Sequence, residues 1–226
     1  MVLSNFRTFK FYTTMYILTN ELYFPPVETA HEGIVAIAGD LSTERLLLAY
    51  NSGIFPWFDE GYEPILWWAP EMRMVVDVHN YKIKKSLRNI LNRKIFTVTF
   101  NQDFASVISN CRTIDRKGQD GTWLSDQMIE AYTQLHDLGK AKSVEVWQNN
   151  ELVGGLYGVD LGHIFCGESM FSKVPNASKV AFVYLINYLK ENNYKLLDCQ
   201  VHNDHLESLG AFEITRELFM KILNNK

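Results

Sequence analysis

The chain has 226 residues, 47% of them hydrophobic, and a formal net charge of −4. That is enough apolar material for one large domain or two modest ones with real cores. The acidic balance argues against a protein that is basic all over, though not against a local basic face. Its three cysteines, Cys111, Cys166 and Cys199, lie far apart. They fit buried thiols of a reducing compartment better than a disulfide framework. No run of about 18 apolar residues offers a membrane span. The expectation is a soluble, cytoplasmic protein.

In chain order, residues 1–14 read as a disordered tail or a start-site artefact, with Met15 opening a more protein-like stretch. FPPVETAHEG is loop-like, its two prolines barring regular helix. LSTERLLLAYNSG reads as a short helix with Ser42 as N-cap and Gly53 past its end. Trp57, Trp67 and Trp68 then crowd into twelve residues, a density that points to an aromatic surface or an inter-domain seam. From Asp77 to Asp103 there is no acid, only Lys82, Lys84, Lys85, Arg88, Arg93 and Lys94. YKIKKSLRNILNRK suits an amphipathic helix, and this segregation of charge points to phosphate contact.

FTVTF alternates like a strand, DFASVISNC reads as a short helix, and SDQMIEAYTQLHDLG is a longer one with Ser125 as cap. SVEVWQNNELVGGLYGV is a hairpin turning at Asn149-Asn150, since Asn tolerates positive φ. DLGHIFCGESMF returns as a strand, and NASKVAFVYLINYLKENN is an amphipathic helix capped by Asn176. KLLDCQV is a strand. Asp204 then caps a short helix with Glu207 completing a capping box, and a final strand and helix follow. The fold class is α+β or mixed α/β, with one crossover through the long helix. The expected division is a small N-terminal domain over residues 1–70 and a larger domain over 71–226. The second has the arrangement of GNAT-type acyltransferases.

The densest chemistry lies in LLDCQVHNDHLESLG. Alternation along the strand puts Asp198 and Gln200 on one face and Leu197, Cys199 and Val201 on the other, so the thiol lies among aliphatics. An acid in mid-strand is costly to bury unless something pairs with it, and a nearby backbone group or arginine would serve. A metal held by Cys199, His202 and His205 and a cysteine nucleophile are the competing readings. The spacing completes no zinc pattern, and no local signature marks a nucleophile. Glu168, on the strand before the long helix, and the helix N-terminus near Asn176 complete the candidates. Free N–H groups at such an end can hold an anion.

Taken together, GDLS…LLLAYNSGIFPWF, ILWWAPEMR, DGTWLSDQMIEAYTQLHDLGKAKSVEVW, ELVGGLYGV, FCGESMFSKVPNASKVA and LLDCQVHNDHLESLGA resemble the leucyl/phenylalanyl-tRNA–protein transferases, from residue 39 to about 214. The resemblance implies transfer of leucine or phenylalanine, with methionine as an alternative, from charged tRNA to the α-amine of proteins beginning with Lys or Arg. That transfer marks them for degradation. The donor ester is already activated, so no cofactor and no metal is expected. By resemblance, Gln200 holds the attacking amine, while Asp198 polarises Gln200 or helps remove the proton. Glu168 and Asn203 meet the acceptor. Trp57 and Trp123 stack on the terminal adenosine, supported by Tyr50 and Tyr132. Leu156, Phe165, Met170, Leu185 and Leu197 form the aminoacyl pocket, and Lys85 and Arg88 touch the tRNA backbone. The alternatives are a coenzyme A-dependent acetyltransferase, which the glycine-free loop SKVPNAS speaks against, and a non-catalytic RNA-binding module.

Overall fold

The computed structural model describes residues 15–58, 64–114 and 124–225. Trp123 lies outside them. The chain is mixed α/β and divides into two compact units: residues up to 71 together with 115–131, and residues 72–114 together with 132 onward.

The first unit holds a four-stranded sheet of β1 (Tyr16–Leu18), β2 (Ile34–Ala38), β3 (Phe55–Pro56) and β4 (Leu66–Trp68), in the order β1-β2-β4-β3. FPPVETAHEG is irregular apart from one 3-10 turn, Val27–Thr29. Helix α1 (Thr43–Asn51) is capped as its sequence predicts, the Ser42 hydroxyl accepting from the Arg45 N–H. Two of the clustered tryptophans are core rather than surface. Trp67 is fully buried and donates to the Ala38 carbonyl. Trp68, also buried, donates to the Trp57 carbonyl, which satisfies the polar atom a buried indole carries.

The second unit is built on a seven-stranded sheet. Its strands are β5 (Met72–Asp77), β6 (Thr97–Phe100), β7 (Ala141–Gln148), β8 (Glu151–Asp160), β9 (Ile164–Ser172), β10 (Leu196–Gln200) and β11 (Phe212–Thr215). Their order is β11-β5-β10-β9-β8-β7-β6. The hairpin between β7 and β8 turns on Asn149 and Asn150, both at positive φ, as a two-residue turn of that twist requires. β9 and β10 pair in parallel, which makes helix α5 (Ala177–Glu191) the one crossover between them. α5 buries nine of its fifteen residues against the sheet. Gly154 lets it come close, since a Cβ there would sit 2.5 Å from the Ala177 side chain. Leu156 packs into the core that α5 covers, and the next residue, Tyr157, meets Phe104 of α3 (Phe104–Thr113) on the opposite face.

The sequence passed over β5. Its run, MRMVVD, does not alternate, because the strand is interior and its middle four residues, Arg73 to Val76, are buried whichever face they lie on. Helix α2 (Lys85–Asn92) is shorter than the basic segment, and Leu87 is its one buried residue. α4 (Asp126–Asp137) follows Ser125, whose hydroxyl accepts from the Met128 N–H. Two expected caps are corrected. Asn176 precedes α5 with left-handed φ and makes no side-chain cap; the Ser172 hydroxyl accepts from the Ser178 N–H instead. The cap of α6 (Asp204–Leu209) is Asn203, not Asp204, its side-chain oxygen accepting from His205 and Leu206. α7 (Arg216–Asn224) closes the chain, capped by Thr215. Among the described residues no helix is long and apolar enough to cross a membrane.

One ion pair ties the hairpin to the crossover. Asp160 on β8 meets Lys142 of β7 at 2.7 Å and accepts from the Tyr194 hydroxyl. Burial alone would raise the Asp160 pKa, but hydrogen bonds from Lys142 and Tyr194 outweigh it and hold the carboxyl below its ordinary value. A depressed native pKa stabilises the fold above the unfolded value, about 3.9, and that contribution is lost as pH falls through the native value. Asp160→Asn is therefore expected to flatten the fall of Tm below about pH 4, with a smaller Tm at neutral pH. A wild-type acid limb in the variant would refute this.

Candidate functional site

The mid-strand acid has its partner. Asp198 on β10 is 0% exposed, and Arg73 on β5, 2% exposed, grips it side-on. Arg73 Nε donates to Oδ1 at 2.8 Å and Nη2 to Oδ2 at 2.6 Å. This fork is the geometry in which guanidinium and carboxylate bind most strongly. Burial pulls the Arg73 pKa down, but the Asp198 charge beside it prevails and raises it above the ordinary value. The Phe219 ring of α7 lies against the guanidinium, its centroid 4.6 Å from Cζ.

Past Asp198 the ladder slips. Asp198 stands opposite Val75 and Gln200 opposite Met74, so Cys199 is the extra residue of a β-bulge. Gln200 takes left-handed φ, 65°. Its backbone N–H donates to Asp198 Oδ1 at 2.9 Å, the oxygen that Arg73 Nε also holds. Its side chain reaches β9, where Nε2 donates to Glu168 Oε1 at 2.7 Å. The other Glu168 oxygen accepts from the Tyr132 hydroxyl at 3.0 Å. Glu168 and Gln200 are half-buried, whereas Asp198 and Tyr132 are buried. The arrangement is two layers, a closed Arg73–Asp198 base and, above it, an amide and a carboxylate that solvent reaches.

The contacts match the facing read from the sequence, although the bulge interrupts the regular pleat between Asp198 and Gln200. Asp198 pairs across from Cys166, Gln200 meets Glu168 two residues further along β9, and Cys199 packs with Leu197 on the core side. Burial, then the Asp198 charge, lifts the Cys166 thiol well above its ordinary pKa, and the same causes raise Cys199. These are poor nucleophiles. Cys199 and the two histidines do not assemble. The group of possible metal donors among the described residues is instead His202, Asp204 and Glu207, all exposed. His202 Nε2 lies 3.1 Å from Asp204 Oδ1.

The other expected residues divide. Leu156, Phe165, Leu185 and Leu197 are buried in one cluster, with Met170 packed against it. Leu156 stands opposite Met170 across β8 and β9, and Leu197 opposite Phe165 across β10 and β9. The oxygen of Asn203 is spent on capping α6. Tyr50 is buried in the first unit, and Trp57 is half-buried there, its ring 5.6 Å from that of Trp68. Lys85, Arg88 and the four other cations of residues 82–94 are all exposed. At the α5 N-terminus, Ala177 donates to the Val174 carbonyl and Ser178 to Ser172, so two N–H groups expected to be open are used internally.

Sequence reasoning missed Arg73 and the tie between Tyr132 and Glu168. The one signal lay on the other side of the pair: the lone mid-strand Asp198 needs a cation, which does not say which one.

Comparison with known proteins adds the lineage. A model of the family described as leucyl/phenylalanyl-tRNA protein transferase matches residues 75–224, and a model of that family's N-terminal domain matches residues 39–71. The leucyl/phenylalanyl-tRNA–protein transferase of Flavobacterium johnsoniae is 66% identical over 213 residues, covering 94% of this chain and 100% of that protein. Its namesake from Flavobacterium psychrophilum is 60% identical, covering 92% and 99%. That from Christiangramia forsetii is 51% identical, covering 92% and 100%. The crystal structure of FemX overlaps 80% of this chain and 71% of its own at 11% identity and a TM-score of 0.49, too distant to carry an argument. On the family models and on identities above one half across nearly the whole chain, this protein belongs to the leucyl/phenylalanyl-tRNA–protein transferase family.

Proposed function

We propose that this chain is an aminoacyltransferase that moves leucine or phenylalanine from aminoacyl-tRNA to the α-amine of a protein N-terminus. Proteins beginning with Lys or Arg are the acceptors, and the product is marked for degradation in the cytoplasm. The observation that carries the reading is the half-buried Gln200–Glu168 pair seated on the closed Arg73–Asp198 base. An aminoacyl ester is already activated, so the enzyme's work is to place an amine beside it and to stabilise the charge that develops. Gln200 holds the attacking amine. Glu168 offers negative charge to a cationic acceptor, and the Tyr132 bond to Glu168 supports a role for Tyr132 at that same end. Asp198, whose oxygens are taken by Arg73 and the Gln200 N–H, orients the amide and touches no substrate. Asn203 contributes through its amide nitrogen, since its oxygen caps α6.

For the donor, the cluster of Leu156, Phe165, Met170, Leu185 and Leu197 takes the apolar side chain. A pocket of this kind separates near-isosteres only about 10–200-fold, so methionine stays within reach. Trp57, Trp123 and Tyr50 receive the terminal adenosine, by the stacking that sequence-tolerant aromatic platforms use. Lys85 and Arg88 meet backbone phosphates, contacts that position without reading sequence. We assign these tasks to a small N-terminal domain, residues 1–70, and a GNAT-like catalytic domain, residues 71–226. The parallel β9–α5–β10 crossover supports the second assignment. The test is transfer of labelled leucine or phenylalanine from charged tRNA to Arg-, Lys- and Ala-initiated peptides. Product on the first two alone is expected. No product on any peptide would refute the reading.

A further inference from the structure

Resting on the aminoacyl-transfer reading, we infer that Arg73, backed by Phe219, is a positioning residue for the transfer: it fixes the Asp198 carboxylate that in turn holds Gln200 in its bulged, left-handed conformation. The chain of contacts is continuous. Asp198 Oδ1 accepts from Arg73 Nε at 2.8 Å and from the Gln200 backbone N–H at 2.9 Å. One oxygen therefore joins the guanidinium to the residue that meets the amine. The second bond of the fork, Nη2 to Oδ2 at 2.6 Å, stops the carboxylate from turning about its own axis. The bulge between Asp198 and Gln200 gives the strand an irregularity that an L-residue does not favour, with Gln200 at φ 65°. Something must over-determine it, and the Asp198 oxygen is the bond at hand.

Arg73 is itself held on two sides by the C-terminal elements. β11 pairs with β5 so that Ile214 stands opposite Arg73, and α7, following directly, lays the Phe219 ring on the guanidinium. The last strand and helix of the chain are thus the buttress of the transfer site. A lysine at position 73 would keep the charge and lose both the fork and the flat stacking surface.

The test compares three variants of the full chain: Arg73→Lys, Phe219→Leu and Leu223→Val. Leu223 is an equally buried α7 residue outside the Phe219–Arg73 stack and serves as the control. Steady-state kcat and KM are measured for leucine transfer from charged tRNA to an Arg-initiated peptide, with Tm taken on the same preparations. Arg73→Lys is expected to lower kcat on the order of 10²-fold with KM unchanged, because misplacement of the reacting group acts on the transition state. Phe219→Leu is expected to lower kcat less, in the same direction. Leu223→Val lowers Tm and leaves kcat alone. Wild-type kcat in Arg73→Lys, a loss residing in KM, or kcat losses that simply track Tm through all three variants would overturn the inference. Should Arg73→Lys fail to fold, Phe219→Leu against Leu223→Val decides by the same criterion. Wild-type protein that transfers nothing overturns the aminoacyl-transfer reading, and this inference with it. Wild-type transfer with unaffected variants overturns this inference alone.

Discussion

Asp198→Ala is expected to cost about 3–5 kcal/mol of stability, because it removes one partner of a buried ion pair and leaves the other charge in place. Both groups are closed off from water, so Arg73 cannot recover in solvent what it loses from the two bonds of the fork. Against a total of about 5–15 kcal/mol for a folded domain, a loss of that size moves a urea midpoint far down or unfolds the protein outright. The double replacement, Asp198→Leu with Arg73→Met, is expected to be more stable than either single change, since it removes the charge along with its partner and fills the space with apolar volume. Urea titration of the three variants measures this. A double replacement no better than Asp198→Ala would mean that the pair contributes through packing rather than charge.

That pair also marks where the sequence was informative and where it was not. Elements with a period or a punctuation mark were legible. The α5 helix is one, with its stripe of apolar residues, and so is the hairpin turning on Asn149 and Asn150. The facing of Cys199 toward the core was legible too, since as far as Cys199 it needs only the pleat, whereas Gln200 reaches its place through the bulge. The strand β5 was not. An interior strand buried from Arg73 to Val76 shows no alternation of polar and apolar residues, and MRMVVD carries no turn signal until Asp77. Asp198 lies 125 residues from Arg73, and a side-chain pairing across two strands leaves no local trace. The helix caps failed for a subtler reason. Asn203 and Asp204 are both good N-cap residues, and the choice between them rests on one residue of backbone, which a propensity does not decide. The bulge at Cys199 was equally silent: the Gln200 N–H bond to Asp198 spans only two residues, but the carboxylate that accepts it is held by Arg73, 125 residues away.

Gln200→Gly separates the chemistry from the scaffold. An L-residue in the left-handed region costs roughly 1–2 kcal/mol, which glycine does not. The substitution also removes the side-chain bond to Glu168, and a hydrogen bond to a charged group contributes about 1.5–3 kcal/mol, toward the lower end where the groups are half-exposed. Glycine adds a further 0.4–1 kcal/mol or so of unfolded-chain entropy. These terms oppose one another, so the net change in stability is expected to be small, about 1 kcal/mol. The backbone N–H that Asp198 holds is retained, and the bulge with it. Transfer is another matter. On the proposed reading the amide meets the amine, and its loss is expected to lower kcat on the order of 10²-fold. Asp198→Ala should depress transfer at least as far, but with the protein largely unfolded. Near-equal loss of turnover beside opposite outcomes in urea would assign the amide to the reaction and the carboxylate to its support. Gln200→Gly that keeps turnover within about tenfold of wild type, a barrier change near 1.4 kcal/mol, would remove the amide from the reaction altogether.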